Sequence, residues 1–247
     1  MLHRNKPVEF ADMHCHILPG IDDGAENRQE AMKMLEIAFR AGVTHMIVTP
    51  HYKEGHHNAS PTTINRLVSS LQDEAAEAGI SISLFPGNEI FYFQEIADRL
   101  ERNEICTLND TEYVLIEFMP SDSFTRIRNA VNHLVSMGYI PIVAHAERYD
   151  CMLRHKDAVE ELRSLGGEIQ INIASIEGRM GYAVKHFTHC LLTRKQIDYL
   201  GSDAHDSRKR TPDVKACMNR LLRKYDTDYI ERISYWNAMQ IMGDTDR

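Results

Sequence analysis

Phe10-Ala11-Asp12-Met13-His14-Cys15-His16, with Asp22-Asp23-Gly24 following six residues later, is the stretch on which the fold of this chain turns. Two histidines separated by one residue cannot share a helix face. On a strand, where side chains alternate with a period of two, they point the same way. Imidazoles aimed at one point from a strand end, with carboxylates close by, suit a divalent transition metal that takes mixed nitrogen and oxygen ligands. Two histidines near a surface turn would satisfy the same spacing. Partners elsewhere in the chain decide between the two.

Outward from this stretch, short apolar strands alternate with amphipathic helices. Strands are expected at 10–14, 45–49, 81–85, 113–118, 140–144, 168–172 and 198–201. Helices are expected at 27–41, stopped by Gly42, and at 61–78, capped by Ser60 and closed by Gly79. Further helices are expected at 94–101, 123–137, 156–165, 182–191, 212–225 and 228–242. Strands that alternate with helices imply parallel crossovers. No Pro/Gly/Ser-rich linker divides them. The expected fold is therefore α/β, one distorted barrel of about seven strands, with a flat doubly wound sheet as the structural alternative.

Composition narrows the classes. The 247 residues are 43% hydrophobic and 26% charged, an ordinary globular balance, and the length suits one large α/β barrel. A formal net charge of −8 argues against nucleic-acid binding. No apolar run reaches the roughly 18 residues of a membrane span, and Met1–Pro7 lacks the apolar stretch of a signal peptide. Five scattered cysteines with no CxxC point to a reducing, cytoplasmic setting without a disulfide framework.

Chemistry in a parallel barrel sits at the C-terminal ends of the strands. Those ends carry His14 and His16, then His51, Glu89, Glu117 and His145, and finally Asp203 and His205, with Asp23 in the first loop. One zinc needs three or four protein ligands. Nine candidates suffice for two or three ions if a carboxylate bridges, and Glu89 and Glu117 are the candidates to bridge. Neighbouring metals of this kind lower the pKa of bound water and clamp the oxygens of a phosphate ester. An ester also needs cations for its free oxygens. Arg148 follows His145, and Arg208, Lys209 and Arg210 follow His205.

These motifs, together with TPHYKEG (49–55), GNEIFY (87–92), LNDTEYVLIEF (108–118), PIVAHAERYD (141–150) and GSDAHDSRKRTP (201–212), resemble the polymerase-and-histidinol-phosphatase (PHP) superfamily. Within it the chain is similar to the bacterial protein-tyrosine phosphatases of capsule and exopolysaccharide biosynthesis. The likeness runs from Phe10 to the C-terminal helix. It implies a distorted (β/α)7 TIM-like barrel at 10–247 behind an extension at 1–9. It also implies a trinuclear site. His14, His16, Glu89 and Asp203 would hold the first metal, and Glu89, Glu117 and His145 the second. Asp23, His51 and His205, with Glu117 as a further candidate, would hold the third. Arg148 and Arg210 would contact phosphate, with Arg208 competing for the second place. The family's metals are divalent, manganese first, with iron and zinc as alternatives. The resemblance implies in-line attack by a metal-bound hydroxide on phosphotyrosine, on the tail of a bacterial tyrosine kinase that regulates polysaccharide export. A homo-oligomer is left open. The extension before Phe10 and the tract 178–186 depart from the family pattern.

Other mechanisms fare worse. A cysteine phosphatase loop, H-C-x5-R, would need arginine six residues after Cys15 or Cys190, where Ile21 and Gln196 stand. Cys15 is then expected to be a packing residue beside the site. His56-His57 is expected in a polar loop. A histidinol-phosphate or other small-molecule phosphatase would use the same metals. An amidohydrolase would more often place a modified lysine where Glu117 stands. A non-catalytic, metal-stabilised module would have lost some of the nine ligands.

Overall fold

A computed structural model describes residues 9–155 and 157–243. Apart from Glu9, the expected N-terminal extension lies outside the described residues, as does Lys156 at the start of one expected helix. Among the described residues the strands are β1 (Phe10–Cys15), β2 (Val43–Val48), β3 (His51–Tyr52), β4 (Ser83–Pro86), β5 (Glu89–Phe91), β6 (Tyr113–Glu117), β7 (Ile140–Val143), β8 (Glu168–Asn172) and β9 (Tyr199–Gly201). They pair in the orders β1-β2-β4 and β3-β5-β6-β7-β8-β9, and every pair is parallel.

Seven strands were expected, and the two additional short ones have a physical origin. The second strand breaks at Thr49-Pro50, where proline offers no N–H to the ladder, and resumes as β3. The third breaks at Gly87-Asn88 and resumes as β5. The breaks are stitched together. Pro50 O accepts the Glu89 N–H at 3.1 Å and the Asn88 side-chain amide at 2.8 Å. The sheet curls until β1 meets the end of β9. There the Asp203 N–H donates to His14 O at 2.8 Å and the His16 N–H donates to Ala204 O at 2.9 Å. The result is a distorted parallel barrel, not a flat sheet.

The helices follow local signals. Arg28–Ala41 begins at Asn27, whose side chain accepts the Glu30 N–H, and ends at left-handed Gly42. It buries Ala31, Met34, Leu35 and Ala38 at helical spacing. Pro61–Glu77 and Phe124–Ser136 are capped by Ser60 and Ser123. Two one-turn helices, Asp150–Arg154 and Ile173–Glu177, are too short for a periodic pattern to announce. The closing helix, expected as one piece, is interrupted by a wide turn at Arg232–Trp236.

Two apolar clusters separate the two faces of the strands. One joins the strands to the surrounding helices through residues such as Val114, Ile116, Val143, Ile169 and Ile171. The other holds Ala11, Met13, Ile47, Leu115, Ile142 and Tyr199, packed against Ala238, Met239 and Met242 of the last helix. That helix plugs one end of the barrel, and the candidate site occupies the other.

The start of β9 is held from the side. The Asp198 carboxylate accepts the Ile169 N–H at 3.0 Å and two N–H groups of Arg163 at 2.9 and 3.2 Å. Asp198→Ala leaves a buried strand N–H without its acceptor. It should lower unfolding stability by about 2 kcal/mol, read as a reduced urea midpoint with an unchanged m-value.

Candidate metal centre

Alternation and register deliver part of the site. On β6, Tyr113, Leu115 and Glu117 share one face, so the strand that buries Leu115 in the barrel presents Glu117 at its end. On β9, Tyr199 and Gly201 share a face, and the chain beyond it carries Asp203 to the same end. Gly201 leaves the room this needs, since a Cβ there would stand 2.8 Å from His14 Cβ. In register, His51 of β3 sits beside Glu89 of β5.

Two ligand candidates depend on broken regularity. Between the pairs Asp12–Met46 and Cys15–Val48, β1 has two residues where β2 has one. This bulge lets Met13 join the inner apolar cluster while His14, next in sequence, faces the site. His145 has φ 32° and ψ 52°, and this left-handed backbone brings its ring toward Glu89. Asp203 also has a positive φ, 51°. Strained backbone of this kind clusters at functional sites.

All nine predicted residues converge. Glu89 lies at the centre and is fully buried. Its Oε2 is 3.1 Å from His14 Nε2, 3.2 Å from His16 Nε2 and 3.2 Å from His51 Nδ1, and its Oε1 is 2.7 Å from His145 Nε2. His51 Nδ1 is also 3.1 Å from Glu117 Oε1. Asp23 Oδ1 is 3.3 Å from His51 Nε2 and 3.5 Å from His205 Nε2.

The ligand atoms gather as His14/His16/Glu89, His51/Glu89/Glu117 and His16/Asp23/His51/His205. This grouping differs in detail from the expected one. His51 stands between two groups because its two ring nitrogens face opposite carboxylates. His145 leans on Glu89, 3.9 Å from Glu117. Asp203 stands 3.6–3.7 Å from the first pair of imidazoles and is engaged elsewhere. Its carboxylate accepts from Asn172 Nδ2 at 2.7 Å, Arg210 Nη2 at 2.7 Å and Arg148 Nη1 at 3.3 Å.

The donor set suits cations. Glu89 Oε2, Glu117 Oε1 and His51 Nδ1 are buried and have no hydrogen-bond partner among the described residues. Atoms held about 2.1 Å from one ion stand about 3.0–3.4 Å apart, which is the spacing of these pairs. Burial would raise the Glu89 carboxyl, but the charges and hydrogen bonds of His14 and His145 hold it well below the usual range. Asp22 is likewise buried, yet the His16 ring and the N–H groups of Gly24 and His51 bring it down to about 2. Cys15 is different. Burial first, and then Asp12, push its thiol well up, so it stays protonated and packs against Ala204 O.

The residues that orient the ligands were not anticipated. Asp22 Oδ2 lies 2.8 Å from His16 Nδ1 and accepts the His51 N–H. Gln170 Oε1 accepts the His145 N–H at 2.8 Å and lies 3.1 Å from His14 Nδ1, while its Nε2 donates to Asn172 Oδ1. Tyr149 Oη lies 3.4 Å from His145 Nδ1. Gln170 left no signal of its own, because in the alternating Glu168-Ile-Gln-Ile-Asn172 a polar residue at that position reads as the outward face of a strand. Asp22 could not be told from its neighbour Asp23 by type or position. Of the competing basic residues, Arg210 reaches Asp203. Arg208 lines a neighbouring cavity with Glu26 and Glu30. His56 and His57 lie exposed in a loop that Asn58 ties to Lys53.

The parallel sheet, curled into a distorted barrel, has the fold of PHP- and amidohydrolase-like structures. More narrowly, the chain belongs to the family described as "Capsular polysaccharide synthesis, CpsB/CapC", whose profile matches residues 10–243. It is 30% identical over 218 residues to the tyrosine-protein phosphatase YwqE of Bacillus subtilis, covering 88% of this chain and 85% of that protein. Its fold superposes with a TM-score of 0.88 on a chain from the crystal structures of YwqE and of CpsB from Streptococcus pneumoniae, described as unique metal-dependent tyrosine phosphatases. That match has 28% identity and covers 96% of this chain and 95% of that one. A histidinol phosphate phosphatase from Lactococcus lactis, 15% identical with a TM-score of 0.57, shares the fold over 88% of this chain and 94% of its own.

Gln170 holds the His14 ring and the His145 backbone at once, so its removal should act on the metals before it acts on the fold. Gln170→Leu should lower metal affinity about 10–100-fold. Metal content after dialysis against graded chelator, beside an unchanged far-UV spectrum, checks this.

Proposed function

We propose that this protein is a metal-dependent protein-tyrosine phosphatase. Its nine residues His14, His16, Asp23, His51, Glu89, Glu117, His145, Asp203 and His205 would hold three divalent cations, manganese first. The observation that carries this is the convergence of five imidazoles and three further carboxylates around Glu89, with lone pairs left unpartnered at its centre. Divalent cations held there supply the acidity that makes water a nucleophile at neutral pH.

The chain's own residues would do the rest. Arg148 and Arg210 each use part of a guanidinium on Asp203, and both remain partly exposed, at 34% and 43%. Their remaining N–H groups are free to take the non-bridging oxygens of a phosphoryl group, held in line beside the cluster. A phenolate leaves with a conjugate-acid pKa near 10, so protonation of the leaving group is less necessary than for an alkoxide. Cys15 takes no part, being buried and neutral.

The family's place in capsular polysaccharide synthesis supports a phosphotyrosine substrate on the tail of a bacterial tyrosine kinase. A cytoplasmic location agrees with the five unpaired cysteines and with the lack, among the described residues, of a helix long and apolar enough to cross a membrane.

Steady-state turnover by the manganese-loaded protein should be far greater on a phosphotyrosine peptide than on histidinol phosphate. A dominant rate on histidinol phosphate would transfer the site to small-molecule chemistry. Arg148→Ala should depress kcat/KM by about 10²–10³ while metal content is retained. Loss of metal in that variant would make Arg148 a structural partner of Asp203 instead.

A further inference from the structure

Beside Asp203 a cavity of ≈ 350 Å³ opens to solvent, within the size range of small-ligand pockets. Four cations line it, Arg148, Arg179, Lys209 and Arg210, while Ala174 and Met180 give it an apolar wall. This gathers positive charge in a chain whose formal net charge is −8. Arg148 and Arg210 are accounted for by Asp203 and the phosphoryl group. Arg179 and Lys209 are not. Neither forms an ion pair with any of the nine cluster residues among the described residues.

Both are built into place. Asp206 turns back on its own loop, accepting the backbone N–H of Arg208 at 2.6 Å, of Lys209 at 2.5 Å and of Arg210 at 3.3 Å. The Ser207 N–H donates to Glu30 Oε1 at 2.8 Å, which pins the loop to the first helix. With these backbone groups satisfied, the loop directs its basic side chains outward over two cavities. Arg179 ties the 178–181 turn to this loop by donating to Lys209 O at 3.4 Å. Its other contact is Glu177, which Arg220 also pairs, so the group of three carries one net positive charge. The Arg179 side chain is half exposed, and an exposed ion pair exchanges readily for another carboxylate.

Resting on the phosphotyrosine proposal, we infer that Arg179 and Lys209 form an acid-reading rim, which selects phosphotyrosines flanked by glutamate or aspartate. The phosphate would sit at Arg148 and Arg210, and the carboxylates beside it in sequence would meet the outer pair of cations. Such contacts act on encounter and positioning more than on the chemical step.

The test uses the manganese-loaded protein and two phosphotyrosine peptides of equal length, one flanked by glutamate and one by glutamine. Wild type should favour the acidic peptide by about fivefold in kcat/KM, mostly through KM, and 1 M salt should erase most of that preference. Arg179→Gln and Lys209→Gln should each reduce the ratio, and the double variant should bring it near one. Because the ratio is taken within each variant, partial misfolding cancels. Equal wild-type rates on the two peptides would overturn the inference, as would a ratio that both variants leave unchanged. Failure to hydrolyse either peptide, with histidinol phosphate turned over, would instead remove the phosphotyrosine proposal beneath it.

Discussion

The structure is organised around one buried carboxylate. Glu89 is closed off from solvent and faces four imidazoles, from His14, His16, His51 and His145. A lone carboxylate in such a place would neutralise or unfold its surroundings. Here the imidazoles, and the cations their geometry suits, make the charge tolerable. Bringing the carboxylate there shapes the sheet. Two strands break one after the other so that His51 and Glu89 lie side by side, and Pro50 O holds the joint. Gly87 allows the second break. A Cβ at that position would meet Leu108 Cδ2 at 2.8 Å and Ile47 Cγ2 at 3.1 Å. Regular β-pairing is given up at the point where the centre is assembled.

The same constraint explains what could be read from the sequence. Alternation along a strand is a simple rule, and it places Glu117 above Leu115 without knowledge of the rest. Residue type at strand ends then picks out the nine members of the cluster. Helix boundaries were legible where caps were, at Asn27, Ser60 and Ser123. The bulge after Asp12 and the left-handed turn at His145 were not legible, because both answer to contacts made across the barrel. Neither has a decisive local signature: histidine is over-represented among the few non-glycine residues at positive φ, but most histidines do not adopt it. Two-residue strands such as β3 are also too short to show a period. The grouping of ligand atoms lay further out of reach, since it depends on which nitrogen of His51 faces which carboxylate.

The orienting residues show why such centres need more than ligands. The His16 ring is fixed by Asp22, the His14 ring by Gln170 and the His145 ring by Tyr149, while Gln170 also takes the backbone N–H of His145. A ring held at one nitrogen presents the other in a set direction and a set tautomer. Gln170 suits its position because an amide offers an acceptor and a donor together. It takes the His145 N–H on one side and donates to Asn172 on the other. Asn172 then donates to Asp203, so a chain of amides runs from the His14 imidazole to the carboxylate that both arginines hold. Displacement at one end is therefore felt at the other. This links the position of the guanidinium groups to that of the cluster, although they belong to different loops.

Asp203 gives this linkage its use. Two arginines beside a cluster of acids would collapse onto the nearest carboxylate, and they do so on Asp203. That contact holds the forks at the edge of the centre without burying them. Under the proposed function, a phosphoryl group there would carry more charge than one carboxylate and offer several acceptors, so it would engage the outward N–H groups while the Asp203 contacts persist. The net negative charge of the chain is no obstacle, because association answers to the local field and not to the sum. Asp206 shows the principle at its plainest. This acid caps three consecutive N–H groups, and by doing so it holds a run of basic side chains, Arg208-Lys209-Arg210, toward solvent on both sides of the entrance.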